Sequence, residues 1–242
     1  MTMSGLWIPF SASLLAAIVT TVGIHVIRHF EVWGRRNSAY FACFAAGVLI
    51  SVSFLHIIPK SFGMNQQAPL YLLAGYLSMH LFNRFITAYV CDKNPELAIG
   101  LVPLLGIGFH SFLDGVVYSI TFSVSIFTGF LATMGMVLHE FPEGIITYLL
   151  LIRGGASPKQ SLWLAFLAAA VSTPLGTLLS YPMISQIDQI LLGALLSISA
   201  GALTYVGATH LLPHAERESA KYSFVALAGG ILVAVGIIVS KG

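Results

Sequence analysis

Two short stretches set histidines and acids at a fixed spacing inside apolar sequence: "HSFLDG" at 110–115 and "HEFPEG" at 139–144. Both have the form His-x-x-x-acid-Gly. On a helix, residues four apart share a face, so His110 lies with Asp114 and His139 with Glu143. Glu140 stands three residues before Glu143 and can join the same site from its edge. Ser111 has the same relation to Asp114. Imidazole together with carboxylate is a donor set that Zn²⁺ accepts, and Fe²⁺ or Mn²⁺ can be held similarly. Such ligands must be deprotonated to bind, so loading a metal releases protons.

The surroundings make these polar groups expensive. The chain is 57% hydrophobic and 8% charged, with a mean hydropathy of +0.90. Soluble domains carry roughly 25% charged residues, so the composition is that of a polytopic membrane protein. A charge at the bilayer centre costs about 2.5–3.5 kcal/mol on insertion scales. Asp114, Glu140 and Glu143 are the only formal charges expected deep in the apolar spans. Arg84 falls near a span end and can snorkel to the surface. Three acids without a basic partner need protons or a bound cation. Polar links between helices are the plainer role for one His–acid pair, but a second copy on the next span favours a cation site.

A spanning helix needs about 20 apolar residues. Eight stretches qualify, near 6–28, 38–58, 69–90, 98–121, 127–151, 161–181, 190–212 and 223–240. Between the fourth and fifth, "ITFSVSIFTG" holds no charge, and a tight turn is expected from its Ser/Thr cluster and Gly129. The fold expected is an all-α integral membrane protein of eight transmembrane helices in one domain, 1–242. Pro142, in the fifth span, has no N–H for the Leu138 carbonyl, and a bend is expected there, with Pro103 and Pro174 bending the fourth and sixth likewise. The start, "MTMSGLWIPF", has no basic segment before Arg28, so a cleaved signal peptide is not expected. Cys43 and Cys91 both lie in apolar spans, which argues against a disulfide framework.

Basic residues set the orientation. Arg28, Arg35 and Arg36 fall at the first connection, Arg84 and Lys93 near the third, Arg153 and Lys159 at the fifth, Arg217 and Lys221 at the seventh. Lys60 and Lys241 alone fall on the other side. The positive-inside rule makes the crowded side cytoplasmic, with both termini outside. An internal repeat accompanies this. "AGVLISVSFLHIIP" (46–59) aligns without gaps to "AGALTYVGATHLLP" (200–213), matching at six of fourteen positions. The two helices run in opposite directions, the mark of an inverted repeat of helices 1–3 against 6–8 around helices 4 and 5.

"HSFLDG" and "HEFPEG" on consecutive helices resemble the signatures of the ZIP family of divalent metal transporters. The likeness extends to "FLHIIP", to "STPLG" in the sixth helix and to "GALTYVGATHLLPHA" in the seventh. It implies eight helices with both ends outside, and a transport site at mid-membrane. Carried across residue by residue, it makes His110, Asp114, His139, Glu140 and Glu143 the metal ligands. Ser111 stands where the family commonly has Asn, and is the weaker ligand candidate. Thr173 stands where members holding two metals carry an acid, so one site is expected rather than a binuclear centre. The histidine-rich loop between the third and fourth helices is reduced to "CDKNPE". His210, His214 and Glu216 are candidates for a metal exit path, and His56 for the entrance.

The function expected is carriage of Zn²⁺, or of Fe²⁺, Mn²⁺ or Cd²⁺, into the cytoplasm by alternating access. No permanent cofactor, no nucleic acid and no enzyme activity are expected. The partners are divalent metal ions and the lipid bilayer of a plasma or inner membrane; a homodimer is left open. The alternative is an intramembrane metal-dependent hydrolase. "HEFPE" approaches the zinc-protease pattern H-E-x-x-H, but position 143 is Glu. A proton-coupled carrier of another solute is the third reading.

Overall fold

A computed structural model describes residues 5–90, 95–212 and 222–241. Every element among them is helical, and no strand occurs among the described residues. Eight rods follow one another: α1 (Trp7–His29), α2 (Glu31–Val52, continuing through Ser53–Ile57 and Ile58–Met64), α3 (Ala68–Val90), α4 (Pro95–Val124), α5 (Ile126–Arg153), α6 (Pro158–Ala165, Phe166–Val171 and Ser172–Ile184), α7 (Gln189–Tyr205 and Val206–Leu211) and α8 (Ser223–Lys241). Each covers one of the apolar stretches read from the sequence. Seven are long and apolar enough to cross a membrane; the corresponding described stretch of α3 is Ala68–Phe82.

The connections are tighter than expected. Phe30 alone separates α1 from α2, so Arg35 and Arg36 sit on the first turns of α2 rather than in a loop. The turn between α4 and α5 is centred on Ser125, not on Gly129. Ser125 is extended, and its hydroxyl caps α5 by accepting from the Thr128 N–H. This satisfies one of the amide groups that a helix start leaves open. Gly129 falls inside α5, where any side chain would strike the Phe122 ring. The α5–α6 link uses Gly155 at φ +85°, a conformation that costs glycine little.

Three of the rods contain irregular segments. α5 runs unbroken through Pro142. The irregular segments are π-helical: Ser53–Ile57 in α2, Phe166–Val171 in α6 and Val206–Leu211 in α7. In α2 a proline follows two residues after the π segment, Pro59, and in α6 three residues after it, Pro174. Proline cannot donate to the carbonyl four residues back and its ring crowds that carbonyl. A π segment lies just ahead of each of these prolines, a feature that the sequence pattern does not announce.

The bundle buries a set of small polar side chains among its apolar core and exposes large apolar ones. Ser13, Thr20, Ser111, Ser119, Thr173, Thr177 and Ser197 are fully buried, while Trp7, Leu70, Leu81, Leu105, Leu232 and Val239 are exposed. A lipid-facing surface has this pattern, because apolar side chains lose nothing against acyl chains. Helices meet instead through small residues. The closest interfaces join α1 to α5, α4 to α6, α2 to α8 and α3 to α7. A Cβ added at Gly23 would strike the Phe141 carbonyl, and one at Gly144 the Thr20 carbonyl; at Gly115 and Gly176 the obstacles are the Thr173 and Phe112 carbonyls. Gly47 and Gly230 lock α2 to α8 in the same manner, and Gly75 and Gly201 lock α3 to α7.

These contacts leave no room for a methyl group. Gly201→Ala is expected to lower the unfolding midpoint in detergent, since overpacking costs about 1–3 kcal/mol. Gly236→Ala, whose new Cβ meets nothing within 4 Å, should leave it where it is. A thermal melt of both variants beside the unmodified protein checks the pair.

Candidate metal site

α4 and α5 run side by side, and α1 and α6 clasp them from outside through the glycine contacts just described. This brings the two His-x-x-x-acid faces together. His110, Asp114, His139 and Glu143 each offer one ligand atom, and all four atoms lie within 4.8 Å of one another. The His139 Nε2 is 3.2 Å from Asp114 Oδ2 and 3.5 Å from Glu143 Oε2. The His110 Nε2 is 3.5 Å from each of the same two oxygens. Nitrogens and carboxylate oxygens therefore alternate around a ring with edges of 3.2–3.5 Å. A tetrahedron of ligands about 2.0–2.1 Å from a central Zn²⁺ has edges of about 3.3 Å. The four N···O distances fall in the range of such edges.

The charges agree with the spacing. Two neutral imidazoles and two carboxylates sum to the −2 that a divalent cation neutralises. His139 is 1% exposed and Asp114 4%. Residues 94–152 include no Lys or Arg. Burial without a basic neighbour leaves a cation as the natural counter-charge. The two rings meet edge to face, with centroids 5.8 Å apart, so each turns an Nε2 inward without stacking on the other.

The remaining residues singled out in the sequence divide into two groups. Ser111 joins the site from behind a ligand: its hydroxyl donates to Glu143 Oε1 at 2.6 Å. Glu140 is fully buried but lies outside the four-atom group. Its Oε2 accepts a hydrogen bond from the Thr20 hydroxyl, and its Oε1 lies 3.5 Å from the Thr173 hydroxyl. Thr20 was missed by the sequence reading. The signal that could have found it is the pattern T-x-x-G, present as Thr20–Gly23 in α1 and as Thr173–Gly176 in α6.

Away from this centre, His56 sits in the π segment of α2. Its Nε2 is 3.1 Å from the Thr128 hydroxyl, and its ring stands edge-on to Phe127. It therefore fastens α2 to the first turn of α5. His80 packs edge-on to Tyr205, and the exposed His25 and His29 lie against each other on α1. His214 and Glu216 lie outside the described residues, as does the His210 side chain, and so do Cys91, Lys93, Arg217 and Lys221. Cys43 is buried and in no disulfide among the described residues.

The chain is similar in sequence to known metal transporters. The zinc transporter ZIP10 of Homo sapiens is 24% identical over 143 residues, which is 58% of this chain and 17% of that protein. Its Danio rerio counterpart is 27% identical over 150 residues, again 58% and 17%. The metal cation symporter ZIP14 of Homo sapiens is 34% identical over 62 residues, or 26% of this chain and 13% of that protein. The matched segments span less than a fifth of the length of these relatives. A family model described as "ZIP Zinc transporter" matches residues 94–238, more than half the chain, including α4 and α5 with both His-x-x-x-acid motifs. The chain belongs to the ZIP zinc transporter family.

Proposed function

We propose that this protein carries a divalent cation, zinc first among Zn²⁺, Fe²⁺, Mn²⁺ and Cd²⁺, into the cytoplasm by alternating access. The observation that carries the reading is the ring of four donor atoms at edges of 3.2–3.5 Å. His110, Asp114, His139 and Glu143 hold the ion as cargo. Ser111 steadies Glu143, and Glu140 adds a third acid beside them. The ion is substrate and leaves again, so no permanently bound cofactor is required. His56 is the entrance candidate, with His210, His214 and Glu216 on the exit path.

The architecture proposed is one domain, 1–242, of eight spans with both termini outside, in a plasma or inner membrane. The basic residues of the odd-numbered connections support that orientation. The reading of an inverted repeat is supported by the helix contacts. Exchanging helices 1–3 with 6–8, and 4 with 5, turns the α1–α5 interface into α6–α4 and the α2–α8 interface into α7–α3. Thr20, Gly23, Phe141 and Gly144 of the first interface correspond to Thr173, Gly176, Phe112 and Gly115 of the second. The π segments of α2 and α7 fall at matching places of the aligned fourteen residues. Two such halves, packed alike but pointing oppositely, give a protein two conformations of similar energy, open to either side.

Zinc uptake into proteoliposomes tests the reading. His139→Ala and Glu143→Ala are expected to lose uptake. Uptake persisting in both would sink the site assignment, and a hydrolysed lipid or peptide would point to a metal-dependent hydrolase instead. Ser111→Ala removes the donor that orients Glu143 and should weaken zinc binding by roughly 10–100-fold, as loss of an outer-shell partner does. Titration calorimetry reads that change. Because the ligands bind zinc deprotonated, affinity should fall as pH is lowered. Calorimetry in buffers of different ionisation enthalpy would reveal the released protons.

A further inference from the structure

We propose that Thr20 is a positioning residue whose hydroxyl holds Glu140 off the four-ligand centre, so that the ion meets two acids rather than three. This rests on the reading that His110, Asp114, His139 and Glu143 hold the ion. Glu140 directly follows one ligand, His139, and stands three residues before another, Glu143, on the same helix. Its place on the helix sets it at the edge of the face that carries His139 and Glu143. What turns it away is Thr20 on α1, with Thr173 on α6 lying at the long limit of hydrogen bonding to the other oxygen.

Thr20 is held where it can do this. The side chain is fully buried, and its hydroxyl also lies 3.0 Å from the Ala16 carbonyl one turn back. Its backbone carbonyl presses on Gly144, and three residues on Gly23 presses on Phe141, the residue after Glu140. α1 therefore cannot slide along α5 without losing these contacts, and the hydroxyl remains opposite the Glu140 carboxylate.

The consequence is electrostatic. With two acids the loaded centre is neutral, and a neutral complex is the cheapest to hold inside a membrane. A third carboxylate on the ion would make the centre negative, bind the cation more tightly and slow its release. A carrier needs binding weak enough to let go. Thr20 keeps the third acid in reserve, satisfied by hydroxyl donors in place of the metal.

The test is a double-mutant cycle on the full chain, reading zinc affinity in detergent and KM with maximal rate in proteoliposomes. Thr20→Val keeps the shape and removes the donor. Its zinc affinity should rise roughly tenfold, about 1.4 kcal/mol, with KM and maximal rate both lower. Thr20→Ser, which restores a hydroxyl, should restore the original values. In a Glu140→Gln background, Thr20→Val should make no further difference. The proposal is overturned if Thr20→Val weakens binding or leaves it unchanged, or if its effect survives in that background. Should Thr20→Val not fold, Thr20→Cys, a weak donor of similar size, takes its place in the cycle. Zinc binding retained in full by His139→Ala would overturn the four-ligand reading and this proposal with it. The other adverse outcomes overturn the proposal alone.

Discussion

A carboxylate buried in an apolar bundle must be met by a proton, a hydrogen-bond donor or a cation, and most of this molecule follows from how it meets three of them. Asp114 and Glu143 face two imidazoles at 3.2–3.5 Å. Glu140, one residue from a ligand, faces threonine hydroxyls instead. No lysine or arginine occurs in residues 94–152 to take up the charge. Two imidazoles stand beside the acids, and a divalent cation held among the four donors would balance the charge.

The helices are arranged to make that possible. Lipid offers no hydrophobic drive for helix association, so close approach through glycine and satisfied polar contacts must hold the rods together. The α1–α5 pair presents His139 and Glu143, and the α4–α6 pair presents His110 and Asp114. Each pair is locked by two glycines set against the partner's backbone. Between the pairs run polar ties: Ser111 to Glu143, and the longer approach of Thr173 to Glu140. The spacing of the metal donors is thus set by backbone contacts that lie one helix away from them.

Much of this was legible in the sequence because membrane helices carry strong local signals. All eight apolar stretches are helical, and the i, i+4 spacing correctly put each His with its acid on one face. The failures were local in another sense. The turn expected from the Ser/Thr cluster falls at Ser125, a capping hydroxyl, while Gly129 lies inside α5. The π segments ahead of Pro59 and Pro174 were not anticipated, because π turns have no composition of their own. Arg35 and Arg36 were given to a loop that proved to be one residue long.

Residue types and spacing by themselves determined that this is an apolar helical bundle with a His/carboxylate centre on consecutive helices, since helix periodicity alone sets which side chains share a face. They did not determine which acids face that centre. Glu143 shares a face with His139 at i, i+4, and Glu140, at the edge of that face, is within reach of the same site by spacing. In the structure Thr20, 120 residues away in the chain, stands opposite Glu140, and Ser111 stands opposite Glu143. A hydroxyl's place across a helix interface depends on how closely two backbones approach, and only the tertiary structure decides that.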